Sequence, residues 1–167
     1  MKTLLSVLVA MLLAACASYG GHPLMAGDAT LADVIRVMGE PAMRWQDPDG
    51  SVQLAYPRGP AGYHTFMARI GPDGKLRHIE NMLETKGFVR IQPGMSEAQV
   101  LQVLGPPSPG STSYFKAREE RVWQWHYCDD MHNAAHFNVL FDASSRTVRT
   151  AMSIYEQCGQ ANCACNK

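Results

Sequence analysis

Residues 94–107, GMSEAQVLQVLGPP, constrain this chain most, because they encode both ends of one short helix. Ser96 is placed to accept from backbone N–H groups of the first turn, and Gln99, three residues on, can reach back to complete a capping box. Ala98, Val100, Leu101 and Leu104 fall at helical spacing, and Val103 widens the apolar stripe. Gly105 supplies the C-terminal cap, and Pro106 and Pro107 forbid continuation. Residues 28–41, DATLADVIRVMGEP, have the same construction. There Thr30 and Asp33 replace Ser96 and Gln99, and Ala32, Val34, Val37, Gly39 and Pro41 match Ala98, Val100, Val103, Gly105 and Pro107 at one constant offset. A helix repeated together with its stops predicts a repeat of the structure around it.

Each helix is followed by short strands. In the first half the apolar pattern predicts strands over 52–56, 64–70 and 75–83, with Phe66, Ala68 and Ile70 on one face. Asp47-Pro48-Asp49-Gly50 and Pro72-Asp73-Gly74 are turns, and 57–62 (PRGPAG) is a loop that no strand interior accepts. In the second half the pattern predicts strands over 121–128, 135–142 and 147–155, with Phe137, Val139 and Phe141 on one face and Leu140 on the other. The polar stretch 108–120 reads as loop. Phe88, Val89 and Ile91 in the connection 86–93 read as the extension of a strand. Short turns dictate antiparallel neighbours. The expectation is an α+β protein of two tandem units, 28–85 and 86–156. Each is a helix plus a three-stranded antiparallel meander, with the helices packed on one face of the sheet. Residues 157–167 form a polar, Cys-rich tail without apolar periodicity.

The chain opens with Lys2, an apolar run over 4–13 and then Leu13-Ala14-Ala15-Cys16. The run is too short to span a bilayer as a mature helix. Its end resembles the lipobox of bacterial lipoproteins. That resemblance implies a signal peptide over 1–15, cleavage before Cys16, and acyl chains on Cys16 as a membrane anchor. Ala17 is not Asp, so the usual inner-membrane retention signal is missing, and the outer membrane is the expected destination. Residues 16–27 then form the lipidated cysteine and a flexible tether.

Lys+Arg and Asp+Glu number 15 each, which leaves no bulk electrostatic case for a nucleic-acid partner. No other segment is apolar and long enough to be transmembrane. With Cys16 assigned to lipid, Cys128, Cys158, Cys163 and Cys165 remain, an even number suited to disulfides in an oxidising compartment. Three connectivities are open. Joining Cys163 to Cys165 closes a very short loop under strain. Two bridges without it require Cys128 to reach Cys163 or Cys165, and a single bridge is the remaining option. At least one bridge is expected between the tail and the Cys128 region.

Gly94, Met95, Ser96, Val100, Leu104, Gly105 and Pro107, then Trp125 and Tyr127, then Phe137, Val139, Phe141 and Asp142 form one pattern. It resembles the SmpA/OmlA family, the BamE-like small lipoproteins of the outer-membrane β-barrel assembly machinery. The resemblance covers about residues 92–155 well and 28–83 weakly. It implies a non-enzymatic lipoprotein anchored through Cys16 in the outer membrane and facing the periplasm. Such a protein would be a scaffold or accessory factor in β-barrel protein assembly and envelope integrity, with the assembly machinery as its protein partner. The tandem arrangement resembles the β-lactamase inhibitory protein fold. That implies, as the alternative, a protein-binding or enzyme-inhibitor module using a concave sheet face.

Three constellations carry possible chemistry. His126, Cys128, Asp129, Asp130, His132 and His136 crowd one hairpin, which reads either as a Zn²⁺ or Cu site or as a solvated loop with a disulfide at its base. Cys158, Cys163 and Cys165 read either as soft thiolate ligands or as oxidised cysteine. Cys128 beside His126 and Asp130 has the composition of a thiol nucleophile with a base, but no oxyanion donor accompanies it. The expectation is no catalytic residue, no cofactor and no metal. Trp123, Trp125 and Tyr127 alternate along one strand and share a face. They form either a protein-contact surface or core packed on the helix of residues 96–104.

Overall fold

Both helices form, with the caps that their sequences encode. α1 (Leu31–Met38) has Thr30 as N-cap, and α3 (Glu97–Leu104) has Ser96. In each, the cap hydroxyl accepts from the backbone N–H of the third helical residue, whose side chain accepts from the cap's own N–H. Thr30 N–H donates to Asp33 at 2.9 Å, and Ser96 N–H donates to Gln99 at 2.8 Å. Gly39 and Gly105 end the helices at φ 85° and 74°, a region costly for a side chain. At Gly105 a Cβ would also lie 2.8 Å from Thr65 Cγ2. The computed structural model describes residues 20–58 and 62–165. The leader 1–15, Cys16 and the start of the tether lie outside these residues.

The rest of the fold corrects the expectation. Among the described residues the protein is mostly antiparallel β, with ten strands in three sheets, and not an α+β pair of helix-plus-three-stranded units. The first sheet has the order β1 (Met43–Gln46), β2 (Val52–Pro57), β3 (Thr65–Ile70), β4 (Leu76–Asn81). The second has the order β5 (Thr112–Phe115), β6 (Glu120–Cys128), β7 (Ala134–Asp142), β8 (Val148–Tyr155). The tail contributes a ribbon of β9 (Gln157–Cys158) and β10 (Ala161–Asn162), where the sequence suggested irregular chain. The unforeseen strands β1 and β5 are edges. All of β5 is exposed, and β1 has no buried residue. β5 lacks the apolar alternation by which strands are read, whereas β1 alternates over only four residues, with Met43 and Trp45 partly buried against the core. In the connection between the sheets, Phe88, Val89 and Ile91 extend no strand; a single helical turn, α2 (Thr85–Phe88), forms there instead.

Opposite Arg69 and Ile70, β4 carries a bulge. Ile70 pairs with Leu76 while Arg69 pairs with His78, so Arg77 is the extra residue. Leu76 and Ile79, an odd number of residues apart, thereby reach the same cluster. The second sheet repeats the device, since Phe141 pairs with Val148 and Leu140 with Thr150.

The two helices do not cover one common face. α1 places Val34 and Met38 against Leu54, Tyr56, Ala68 and Ile70 of the first sheet. α3 belongs to a second core. There Val100 and Leu104 meet Ala55 and Met67 from the other face of the first sheet, and Trp125, Phe137, Val139 and Phe141 from the second sheet. The sequence has no way to distinguish these settings, because both helices carry nearly the same apolar stripe. At its N-terminus α3 is tied to the second sheet. The buried Glu97 carboxylate accepts from Arg121 Nη1 at 2.9 Å and from Arg146 Nε at 2.9 Å. At its C-terminus Gln53 Nε2, on the first sheet, approaches the Gln102 carbonyl at 2.5 Å.

Candidate functional site

Two of the three alternating aromatics on β6 lie in the core. Trp125 is 1% exposed and Tyr127 7%, both in the cluster around α3. Trp125 Nε1–H donates to the Gly105 carbonyl at 3.3 Å, which satisfies the indole where the helix ends. Tyr127 meets Phe88 edge-on at 4.7 Å between centroids, and half-buried Trp123 tilts against Phe141 at 4.8 Å. Of the two readings of this strand, Trp125 and Tyr127 follow core packing, and Trp123 lies half-buried against that core. The face they share turns toward α3, and burying such rings outweighs leaving them in water.

The four described cysteines form two disulfides, Cys128–Cys165 and Cys158–Cys163. The first ties the tail to the end of β6, as expected, and selects Cys165 from the two partners that the spacing left open. The second closes the β9–β10 ribbon. Further backbone bonds seat the ribbon, since Ala134 N–H donates to the Cys163 carbonyl at 2.7 Å and Cys163 N–H to the Glu156 carbonyl at 2.9 Å. Cys128 therefore has no thiol with which to act as a nucleophile, and the tail has no thiolate to offer a metal.

The His-rich hairpin divides. Asp129 closes its own loop by accepting from the backbone of Met131 and Asn133, each at 2.8 Å. His132 is exposed at the turn with φ 62°. His126 and His136 are directly opposite each other on β6 and β7, on the sheet face away from α3. Their rings stack with centroids 4.2 Å apart. Glu156, just beyond β8, brings Oε1 to 2.7 Å from His136 Nε2. Burial, followed by the neighbouring His136, pushes the His126 imidazole below its ordinary value. One ligand atom from each of His126, His136 and Glu156 lies within 4.8 Å of the other two. Glu156 is the residue that sequence reasoning missed. It is twenty positions from His136, and only the antiparallel register of β7 with β8 brings it alongside.

Two other surfaces remain open. A cleft of about 480 Å³ lies between the first sheet and α3, lined by Gln53, Arg69, Glu80, Arg90 and Gln99 among others. Its charges are paired within the chain, Arg90 with Glu80 at 3.7 Å and Arg69 with Asp47. The outer edge of β8 pairs with residues 94–96 only at its beginning, through Gly94 N–H to the Val148 carbonyl at 2.8 Å and Val148 N–H to the Met95 carbonyl at 2.8 Å. Beyond that, β8 pairs only with β7 among the described residues, and it exposes Met152, Ile154 and Tyr155.

Searched against models of known protein families the sequence matches none, and no curated protein matches it significantly. The likeness to the SmpA/OmlA lipoproteins rests on its residues alone.

Proposed function

We propose that this protein is a non-enzymatic lipoprotein of the bacterial outer membrane. In this reading it is anchored through Cys16, faces the periplasm, and serves as an accessory scaffold in β-barrel protein assembly. The observation that carries the reading is the partition of its five cysteines. Four are spent in two disulfides, as suits an oxidising compartment, and the fifth stands at the lipobox. The loss of the Cys128 thiol to a disulfide supports a role without covalent chemistry. Binding through β8 suits a scaffold, since a free edge can add a strand from a partner. A concave inhibitor face has less support, because the sides of both sheets that flank α3 are filled by one core.

The test has two arms. Cells given radiolabelled palmitate should label the wild-type protein and not Cys16→Ser. Deleting the gene should lower outer-membrane porin levels and raise detergent sensitivity. Absence of label sinks the anchor, and unchanged porins and detergent resistance sink the assembly role. Titration of native protein with a thiol reagent should find no free thiol.

A further inference from the structure

We propose that His126, His136 and Glu156 form a binding site for a divalent transition-metal ion, argued here for Zn²⁺. His126 and His136 come from β6 and β7 and Glu156 from the residue just after β8, at one end of the second sheet on the face opposite the core. Two imidazoles and a carboxylate are a zinc donor set, and three protein ligands leave a fourth position for water. The set holds no sulfur, which suits a compartment where the neighbouring cysteines are oxidised.

The apo geometry is close to what a metal requires without being satisfied by itself. His136 Nε2 is shielded from solvent and makes no aligned hydrogen bond, although Glu156 Oε1 is only 2.7 Å away. The carboxylate thus stands beside the nitrogen and not along the direction of its lone pair or proton. A tetrahedral ion with ligand bonds of about 2.0–2.1 Å separates its ligand atoms by about 3.3 Å. Zn²⁺ would therefore widen the His136–Glu156 contact slightly and draw His126 in from a separation of at most 4.8 Å. The side chains of His136 and Glu156 are 24% and 32% exposed, which leaves room for that movement and a path for the ion.

The surroundings hold the ligands from both sides. One step along the same face, Gln124 Nε2–H donates to Asn138 Oδ1 at 3.0 Å, and Asn138 Nδ2–H donates to the His136 carbonyl at 3.1 Å. One step the other way lies the Cys128–Cys165 disulfide. Glu156 is held by its own backbone, its N–H donating to the Ala134 carbonyl at 2.9 Å and its carbonyl accepting from Cys163. The two disulfides thereby fix the chain carrying the third ligand, which gives the tail a purpose beyond closing the fold. Support of this kind keeps ligand side chains in place before the metal arrives.

The lipidated protein in detergent, stripped with EDTA, is titrated with ZnCl₂ against a chromophoric chelator, 4-(2-pyridylazo)resorcinol. One Zn²⁺ per chain should bind. The double variant His126→Ala/His136→Ala and the single variant Glu156→Gln should each weaken binding about tenfold or more. His132→Ala, on the exposed turn of the same hairpin, should bind as wild type does. Zinc-edge X-ray absorption of the wild-type complex should show two imidazoles and oxygen, without sulfur, and this reading stands even if the double variant does not fold. No saturable binding, equal affinity in the folded double variant, or a sulfur-ligated zinc would overturn the site. The site is independent of the membrane anchor and of the assembly role, so its failure leaves that reading intact.

Discussion

The two four-stranded sheets follow helices of equal length with equivalent caps and share a bulge in their last strand, yet they are buried differently. The first sheet is covered on both faces. Leu54, Ala68 and Ile70 lie under α1, while Ala55 and Met67 reach the core of α3. The second sheet has its main core on one face, and the other face is covered only at one end, where the tail packs Cys165 on Cys128 and Ala134. Its other face carries His126, His136, Gln124 and Asn138, and its last strand exposes Met152 and Ile154. In consequence the first sheet serves as structure on both sides, and the second has a face free to carry chemistry. A duplicated pattern therefore does not imply a duplicated role, because each copy's burial is set by its neighbours.

The shared core predicts the largest effect. Trp125→Ala should cost about 4–5 kcal/mol, through the cavity and the unpartnered Gly105 carbonyl, and guanidinium unfolding should remain a single transition. Two separate transitions would show that the sheets are independent. Next come the disulfides that only the second sheet possesses. Removing Cys128–Cys165, with a separation of 37 residues, should cost ~4 kcal/mol. Removing Cys158–Cys163, with a separation of 5, should cost ~2 kcal/mol on loop-closure grounds. Paired Cys→Ser variants and denaturant midpoints measure both, and a reversed order would mean that the ribbon is more than a closed loop.

The helix caps should behave alike, so Thr30→Ala and Ser96→Ala should each cost about 1 kcal/mol in the same assay. A large inequality would locate most of the stability in one copy. Acid separates them by the smallest effect. Thr30's hydroxyl and N–H, with Arg36 beside them, hold the Asp33 carboxyl well below its ordinary range, whereas Gln99 does not titrate. A depressed carboxylate contributes stability above its unfolded value near 3.9, and that contribution is lost as pH falls toward its folded value. Amide protection of Val34 should drop between pH 4 and pH 2, and Asp33→Asn should make that protection less dependent on pH over the same range.

Much of this was legible in the chain. The helix ends were, because capping residues and glycines act within a few positions of themselves. The six longer strands were, because alternate residues such as Phe137, Val139 and Phe141 must share a buried face. The edges β1 and β5 were not: β5 is wholly exposed and has no apolar requirement to leave in its sequence, and β1 offers only Met43 and Trp45, too few to show a period. The site was half legible. His126 and His136 drew notice as part of a hairpin, and Glu156 did not, because no local rule joins it to them.

What the sequence determined by itself was local: where helices start and stop, which strands carry a buried face, and that the tail must be bound back by cysteine. The tertiary structure decided the rest. It chose Cys165 for Cys128, turned Trp125 and Tyr127 inward, placed α3 in a core common to both sheets, and set Glu156 beside two histidines. Those outcomes depend on strand register and on which face meets which. These are long-range pairings whose energies arise only when distant segments are packed together.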